Sequence, residues 1–398
     1  MDVLDQRSRL QQYDEAVLKT GPDAVRHAGA SKINVFVHLA SDKDAARWKA
    51  AYDAGTLVGV NDETPYGYGR AVDMGCNVTF STSHAESLAA KVVRLALRVI
   101  TGFDYIHARR QWAAMRDADV VWTHTESQTL AVAAVFQRRG LQKGKRPMLV
   151  GQTVWLCDQW SRMGFWRRAL ARKLMPYVDV LSFLSPHNRS LAERLFPGTR
   201  CEFIPFGIPA EKFEKPRMRS DAPLKILAVG NDRHRDWRTL VDAVIDRPEY
   251  ALTILSATAP ASLAAGHDNV EIHQARSNDE LRRHFAEAGV VCVPLSPNFH
   301  ASGITVMEEA ALAGVPMVAT DTGGLDAYFG QDCAHYVPVG DARAMADAFA
   351  RIAADPQGAR DMARRAQSRM LSGAIDADSY IRRHVELSEA LIAPAATG

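Results

Sequence analysis

The stretch that decides the fold is HASGITVMEEAALAGVPMVATDTGG, residues 300–324. Ser302 is suited to cap the start of a helix, residues 303–313 are a run of helix formers, and Gly314 supplies a left-handed residue at the helix end. Pro316 then prevents the helix from continuing. The stretch therefore predicts a loop, a short helix, a turn, a strand and a second loop.

Apolar runs on both sides of this helix indicate two parallel strands. Residues 290–294 come before the helix and residues 317–320 come after it. Two strands joined by a helix form a right-handed crossover in a parallel sheet. Because ligands of such sheets bind beyond the carboxyl ends of the strands, we expect residues 295–301 to line a binding site.

The start of the helix has the properties of a diphosphate site. The backbone amides of Ser302, Gly303 and Ile304 open the helix, and the positive end of a helix favours anions. Further along, Glu308 and Glu309 lie about 100° apart around the helix axis, so they cannot face the same partner. We expect one of the two to face the ligand.

The stretch resembles the nucleotide-sugar motif of retaining GT-B glycosyltransferases of family 4. The shared pattern is a Glu-Ala pair, three residues, Gly-Val-Pro, a short apolar strand and Thr-Asp-Thr-Gly-Gly. The resemblance implies that Glu309, five residues before Gly314, accepts hydrogen bonds from both ribose hydroxyls. An ionised carboxylate has two acceptor oxygens for such a pair of donors. The chain departs from the family at Ala301, where the family has another Glu.

A second part of the anion site is predicted after the first strand of the second half. Gly230 follows that strand and opens the basic loop NDRHRDW, an arrangement typical of a diphosphate site. The family has an Arg after this Gly and a Lys a few residues later. Here Asn231 replaces the Arg, and Arg235 falls at the Lys position. A guanidinium can bind two phosphate oxygens, and Arg233 lies nearby, either as a second ligand or in a solvated turn.

Two features of the first half have both a functional and a structural interpretation. Gly67 and Gly69 resemble in position the glycine loop that faces donor and acceptor in GT-B enzymes; the alternative is a surface turn shaped by Pro65. His124 follows a strand, where several family members have a histidine close to the donor sugar. A histidine can bond a sugar hydroxyl or move a proton, and the alternative is a hydrogen-bonded structural residue.

Apolar segments that alternate with helical segments predict a GT-B architecture. It is an α/β fold with two Rossmann-like, doubly wound parallel-sheet domains that face a cleft, and a C-terminal helix. We predict an acceptor-side domain at 1–210, a linker at 211–223, a nucleotide-sugar domain at 224–374 and a helix within 375–398 that could return to the first domain. The segments predicted as strands in the first half are 33–40, 56–60, 77–81, 119–123, 148–153, 179–184 and 201–205. Residues 1–30 are predicted to be a polar, partly helical lead-in.

Length and composition fit this layout. A chain of 398 residues is long enough for two domains, and an apolar fraction of 47% is ordinary for a globular protein. The five cysteines show no paired spacing, so we expect a reducing cytoplasm and neither disulfides nor a zinc site. We expect no signal peptide, because the first residues carry acids and lack an apolar core.

The charge pattern excludes one class of function and suggests a partner. The net charge of +2 argues against a general nucleic-acid binder, although residues 91–173 hold 16 Lys and Arg against 5 Asp and Glu. Within this region, KVVRLALRVI is predicted to place Lys91, Arg94 and Arg98 on one helix face beside apolar residues. A second basic segment begins at Arg162, and its apolar side chains are Phe165, Trp166, Leu170 and Leu174.

Basic amphipathic helices with aromatic residues can lie in the headgroup region of an anionic membrane. We therefore expect a cytoplasmic protein that can associate peripherally with the inner face of a membrane. The alternative is that these helices pack on the sheet with solvated basic faces.

The resemblance implies a retaining glycosyltransferase, of the kind used in polysaccharide biosynthesis. It would move a sugar from a nucleoside diphosphate sugar to a glycan, lipid-linked or small-molecule acceptor, with His124 and Arg235 as the catalytic candidates. We expect no cofactor and no metal, because Asp117 and Asp119, which match the metal signature of the GT-A class, precede their strand. Two alternatives remain open: a non-catalytic nucleotide-sugar-binding relative, and a nucleotide-sugar epimerase or inverting GT-B transferase.

Overall fold

The computed structural model describes residues 32–217, 222–372 and 375–393. The lead-in predicted for residues 1–30 lies outside these ranges, as do residues 218–221 of the predicted linker. The described residues form two six-stranded sheets in which all neighbouring strands are parallel. The predicted fold class is therefore confirmed.

The first sheet has the strand order β2-β1-β3-β4-β5-β6. Its strands are β1 (Asn34–His38), β2 (Asn77–Phe80), β3 (Val120–Thr123), β4 (Met148–Thr153), β5 (Val180–Phe183) and β6 (Cys201–Phe203). The helices of this half are α1 (Ala45–Asp53), α2 (Leu88–Thr101), α3 (Tyr105–Arg110), α4 (Trp112–Met115), α5 (Glu126–Arg138), α6 (Leu156–Trp160), α7 (Phe165–Leu174) and α8 (Pro186–Leu195), with 3-10 turns at Pro65–Val72 and Met175–Tyr177. Strands β3 and β5 are fully buried, as expected for a parallel sheet covered on both faces.

The second sheet has the strand order β12-β11-β10-β7-β8-β9. Its strands are β7 (Leu224–Val229), β8 (Tyr250–Leu255), β9 (Val270–His273), β10 (Val290–Val293), β11 (Met317–Thr320) and β12 (His335–Val337). The helices that follow are α9 (Trp237–Val244), α10 (Asn278–Glu287), α11 (Ile304–Leu312), α12 (Ala342–Ala354), α13 (Pro356–Leu371) and α14 (Ala377–Ile392), with a 3-10 turn at Ala261–Ala264.

The strand order of each sheet reverses at one point. In the first sheet the reversal lies between β1 and β3, and in the second it lies between β7 and β10. Ligands of doubly wound sheets bind in the crevice outside the carboxyl ends of the strands at such a switch point. The loop that begins at His124 follows β3, and the loops that contain Gly230 and His300 follow β7 and β10, so the topology selects these loops.

Helix α14 packs on the first domain, although it follows the second domain in sequence. The hydroxyl of Tyr380 lies 2.9 Å from that of Tyr68 and donates to Gln152 Oε1 at 2.7 Å. The indole N–H of Trp122 donates to Ser388 Oγ at 2.9 Å. These buried bonds tie the end of the described chain to the centre of the first sheet.

The strand predicted at residues 56–60 is absent. Leu57, Gly59 and Val60 instead form an irregular segment whose backbone bonds to side chains of the second domain. Asn278 accepts from Gly59 N–H at 2.8 Å and donates to the Leu57 carbonyl at 2.9 Å. The partner residue is remote in sequence, so these hydrogen bonds could not be predicted. The apolar pattern of the segment was the available signal, and it indicated a strand.

Helix α2 presents an apolar face to the outside of the molecule. Arg94 is its one buried residue, and the guanidinium forms ion pairs with Glu86 and Asp104. The predicted place of Arg94 on an outward basic face is therefore wrong, because two carboxylates hold this side chain against the protein. Lys91 and Arg98 are exposed.

Helix α7 joins this surface at its first turn only. Phe165 and Trp166 are 80% and 44% exposed, whereas Leu174 is buried and Leu170 packs on the same core. The prediction that Leu170 and Leu174 belong to the outer face is therefore wrong. Arg167 donates to the last two backbone carbonyls of α2 before its C-terminal residue, so the two helices form one continuous surface.

Candidate functional site

The guanidinium of Arg235 lies between two glycines at the switch point of the second sheet. A Cβ atom on Gly230 would lie 2.5 Å from Arg235 Nε, and one on Gly303 would lie 2.7 Å from Nη1. Both glycines also have positive φ angles, 141° and 91°. The two positions therefore require glycine for the backbone conformation and for the space that the guanidinium fills.

Arg235 forms no direct ion pair in the part of the chain that the structure describes, although the charge of Asp232 in the same loop opposes the effect of burial on its pKa. No carboxylate among the described residues lies within ion-pair distance of it, and its buried Nε lacks a hydrogen bond. Its one side-chain bond is from Nη1 to Ser302 Oγ, at 3.4 Å. Burial lowers the pKa of Arg235 to about 10, so it remains charged at neutral pH. An enclosed cation without a counterion is unfavourable, and phosphate oxygens would satisfy it.

The start of helix α11 differs from the prediction by one residue. The helix begins at Ile304, and Gly303 rather than Ser302 is the N-cap. Ala301 and Gly303 both have left-handed backbone conformations, with φ of 54° and 91°. This turn directs the Ser302 hydroxyl toward Arg235 instead of the helix amides.

Two of the three amides predicted to bind a diphosphate are engaged within this turn. Ser302 N–H donates to Asn298 Oδ1 at 3.1 Å, and Ile304 N–H donates to the Ala301 carbonyl at 3.3 Å. A diphosphate would have to compete with both bonds. Arg235 is therefore the strongest candidate for binding an anion in this pocket.

Glu308 and Glu309 have opposite surroundings. Both carboxylate oxygens of Glu308 are buried without a partner, and burial, together with Glu309, raises its pKa well above the usual value. Glu309 faces the first domain, where Oε1 accepts from Val60 N–H at 3.0 Å. Burial raises the pKa of Glu309 to about 7. Glu308 is thus a core side chain that does not face the site, and Glu309 lies about 9 Å along the helix from Gly303.

A cavity of about 1000 Å³ adjoins Glu309 but does not include Arg235. Its lining contains Gly59 and Asn278, and also Gly289 and Pro316, which precede β10 and β11. It therefore extends toward the amino ends of the strands. The predicted anion site at Arg235 is outside this cavity, at the carboxyl ends of the strands, where the switch point directs ligands.

His124 is enclosed by aromatic rings at the end of β3. Its Nδ1 lies 3.1 Å from Tyr68 Oη and 3.3 Å from Gln152 Nε2, and its ring stacks on Tyr66 with centroids 3.5 Å apart. Burial lowers the pKa of His124 to about 3, so the imidazole is neutral. It can exchange hydrogen bonds with a sugar hydroxyl, but it does not carry a positive charge at neutral pH.

The glycine loop shapes the turn that brings Tyr66 onto His124. A Cβ atom on Gly67 would face Ala377 of α14, and one on Gly69 would collide with the Thr64 side chain. Tyr66 itself has a φ of 57°, which is rare for an aromatic residue. The sequence offered no signal for Tyr66 beyond its position between Pro and Gly.

The other predicted site residues of the basic loop are peripheral. Arg233 is exposed, as expected for a solvated turn. Asn231 Oδ1 accepts from Ala257 N–H at 2.7 Å, so its side chain joins the end of β8. Asp119, half of the GT-A-like pair, accepts from the backbone and side chain of Asn34, which is a structural role.

One pair of site residues was missed by the sequence analysis. Asp158 of the first domain and His300 of the second are both 5% exposed in their side chains, and Asp158 Oδ2 lies 2.7 Å from His300 Nδ1. Asp158 Oδ1 also accepts from Phe299 N–H at 2.7 Å. His300 lies in the predicted binding loop, residues 295–301. Its titratable side chain was the signal that could have identified it.

Comparison with known proteins gives a family for the second domain. The family described as "Glycosyl transferases group 1" matches residues 223–355, which include Gly230, Arg235, Gly303 and Glu309. This match covers about a third of the 398 residues. No curated protein matched the chain in sequence.

Solved structures match nearly the whole chain at low sequence identity. Sucrose-phosphate synthase from Thermosynechococcus elongatus is 18% identical with a TM-score of 0.68, and the match covers 90% of this chain and 99% of that one. HepE from Anabaena, in complex with UDP-glucose, is 13% identical with a TM-score of 0.61, over 89% and 99% of the two chains. Trehalose 6-phosphate synthase from Burkholderia multivorans is 12% identical with a TM-score of 0.61, over 92% and 100%.

These similarities agree with the site and the topology described above. The structural matches support the two-domain arrangement, and the family match includes both glycines of the Arg235 pocket. Together they show that the chain has the two-domain GT-B fold, and that residues 223–355 of its second domain match the family described as glycosyl transferases group 1.

Proposed function

We propose that this protein transfers a sugar, with retention of configuration, from a nucleoside diphosphate sugar to a glycan, lipid-linked or small-molecule acceptor. The observation that carries the proposal is the unpaired Arg235 guanidinium between Gly230 and Gly303. The diphosphate binds Arg235, and the ribose hydroxyls bind Glu309. The complex of Anabaena HepE with UDP-glucose makes a UDP-sugar the first donor to test.

Arg235 would act as the sugar leaves the diphosphate. Negative charge develops on the leaving oxygen as the bond to the sugar breaks, and a fixed guanidinium stabilises that charge. The acceptor hydroxyl attacks from the side on which the diphosphate leaves, and its proton passes to the leaving diphosphate. The chain supplies no covalent nucleophile in this proposal, and the transfer step needs no metal ion.

His124 would contact the sugar rather than transfer a proton. Burial lowers the pKa of His124 to about 3, so the imidazole ring is uncharged near neutral pH. Tyr68 and Gln152 hold one ring nitrogen, which fixes the imidazole orientation. A neutral, oriented imidazole is suited to bind one sugar hydroxyl.

We also propose that the outer surface of α2 and the start of α7 rest on an anionic membrane and favour a membrane-proximal acceptor. The strongly exposed apolar residues there are Leu88, Val92, Val93, Val99, Ile100 and Phe165. Lys91 and Arg98 flank them. A helix with an outward apolar face does not fit ordinary packing on the sheet, whereas basic and apolar side chains together fit an anionic bilayer surface. No helix in the described ranges has the length and hydropathy to cross a bilayer.

The proposed transfer is tested by a donor panel with wild type, Arg235→Ala and Arg233→Ala. We expect diphosphate release from at least one nucleoside diphosphate sugar, and a decrease in turnover of about 100-fold or more for Arg235→Ala. Arg233→Ala is the matched control, because Arg233 is exposed on the same loop, and it should change little. Nucleotide binding without release would instead support a non-catalytic relative, and an isomerised donor sugar would support an epimerase.

The ribose contact is tested by comparing Glu309→Gln with Glu308→Gln. The first change should weaken nucleoside diphosphate binding by about 1–3 kcal/mol, because it removes charged hydrogen bonds. The second should leave binding unchanged, since Glu308 is buried in the core and the amide preserves its shape. Calorimetric titration measures both. A larger loss for Glu308→Gln would contradict the assignment.

Donor affinity should depend on pH through Glu309. Burial raises its pKa to about 7, so the carboxylate is ionised above that pH and protonated below it. Affinity for UDP-glucose should therefore be highest above pH 7 and decrease about tenfold by pH 6. The diphosphate of a nucleotide sugar keeps its charge over this range, so the change reports on the protein. Glu309→Gln should remove the dependence, and an unchanged profile in this variant would refute the role.

Membrane association is tested by sedimentation with anionic and neutral vesicles at low salt. Wild type should bind anionic vesicles preferentially, and replacing Lys91 and Arg98 by Glu should abolish the preference. The matched control reverses Arg283 and Arg343, two exposed basic residues of the second domain, and should bind as wild type does. Equal binding to neutral vesicles, or no effect of the first pair, would favour a soluble acceptor.

A further inference from the structure

Three potential metal ligands converge beside the Arg235 pocket. Asp232 and His234 belong to the loop after β7, and His300 belongs to the loop after β10. Each of the three offers one ligand atom, and these atoms all lie within 4.8 Å of one another. His234 and His300 are 66 positions apart in the chain. They lie together at the switch point of the second sheet.

His300 is oriented from behind by a carboxylate of the first domain. Asp158 Oδ2 lies 2.7 Å from His300 Nδ1, and Asp158 Oδ1 accepts from the Phe299 amide, so the carboxylate receives two hydrogen bonds. This arrangement places the proton on Nδ1 and directs Nε2 into the cluster. A carboxylate that accepts from the distal nitrogen is the usual support of a metal-binding imidazole.

The inward nitrogen of His300 is buried and lacks a hydrogen bond. His300 is 5% exposed, and its Nε2 lies within ion-pair distance of Asp232 Oδ2, at 3.4 Å, but forms no hydrogen bond. A buried polar atom of this kind requires a partner. The second oxygen of the Asp232 carboxylate faces His234 Nδ1 at 3.2 Å, so the same carboxylate lies between both imidazoles.

We propose that Asp232, His234 and His300 bind a divalent transition metal ion, with His300 coordinating through Nε2. Two imidazoles and one carboxylate are a ligand set typical of Zn²⁺, Co²⁺, Mn²⁺ or Fe²⁺. Two nitrogen ligands select against Mg²⁺ and Ca²⁺, which prefer oxygen. Three protein ligands also leave at least one coordination position for an oxygen of a further ligand.

The ion would lie beside the proposed diphosphate site, so its role in the cleft, as distinct from its binding, rests on the proposed function. All three ligands belong to the second domain, whereas Asp158 belongs to the first. Metal coordination polarises the His300 ring and strengthens its N–H bond to Asp158. The ion would therefore strengthen this contact between the two domains beside the proposed diphosphate site, without being required for the transfer step. The expectation of no metal rested on the GT-A signature, which does not include these residues.

The test is a titration of metal-stripped protein with Co²⁺, followed by visible absorption, and with Zn²⁺, followed by calorimetry, both without nucleotide. Wild type should bind one ion at this site, and His234→Ala should abolish binding. His234 is only partly buried, so this variant is a safer choice than one at His300, and its unfolding temperature without metal should equal that of wild type.

Asp158→Asn separates support of the ligand from a general structural role. The amide can no longer receive a charge-assisted bond from His300, so metal affinity should decrease 10- to 100-fold while the Co²⁺ spectrum keeps its shape. A variant that merely loosened the fold would change the spectrum or the unfolding temperature.

A second group of potential ligands supplies the matched control. His273, Glu280 and His284 lie within the same distance of one another on α10 and β9. His284→Ala should leave the Co²⁺ spectrum and affinity unchanged. The proposal is overturned if wild type binds neither ion more tightly than His234→Ala, or if His284→Ala removes the binding. Because no donor is present, a failure of the transfer assay does not affect this result.

Discussion

The constraint on which the site depends is the enclosure of one unpaired cation. Arg235 lies where two backbone turns meet, and each turn has a glycine at the point of contact. Burial lowers its pKa to about 10, so the guanidinium stays charged at neutral pH. Removing a carboxylate partner from a buried cation is costly in most proteins. Here the protein keeps the charge available for an anion that binds from outside.

Much of the local structure follows from this enclosure. Gly303 must adopt a left-handed conformation to admit the guanidinium, so it becomes the N-cap of α11, and Ser302 is left to contact Arg235. The same helix then presents Glu309 to the first domain and Glu308 to the core. Helix α11 thus fixes the positions of both the proposed anion site and the predicted ribose ligand.

The first domain contributes two hydrogen-bonding groups to this site. It supplies the Val60 amide to Glu309 and the Asp158 carboxylate to His300, and both contacts cross the cleft. A ribose at Glu309 has to share the carboxylate with Val60 or displace this amide. In the proposed function, donor binding would therefore depend on the position of the segment that contains Val60. The pairing of Asp158 with His300 gives the cleft a second link on the side of the diphosphate.

The sequence predicted regular elements well and contacts between distant residues poorly. Strand β11 agrees with its predicted bounds, because a buried parallel strand is a short apolar run flanked by turn residues. Short β12 was not predicted, since three residues carry little periodic signal. Gly230, Arg235 and Gly303 were predicted as site residues by motif. That the glycines touch the guanidinium could not be read from the motif, because it depends on how two loops meet.

The errors have the same origin. Helical periodicity predicted that Arg94 lies on an outward basic face, but two carboxylates outside the helix hold its side chain against the protein. Residues 56–60 read as a strand because their partners are side chains of another domain. The cluster of His234 and His300 has no ligand spacing in sequence and forms only when β7 and β10 become neighbours.

The most direct test of the Arg235 site is a crystal structure of the protein with UDP. We predict diphosphate oxygens within about 3 Å of the Arg235 guanidinium nitrogens, and ribose hydroxyls on the carboxylate of Glu309. A nucleotide bound elsewhere, or Arg235 paired with a carboxylate of the protein while the diphosphate is remote, would contradict it.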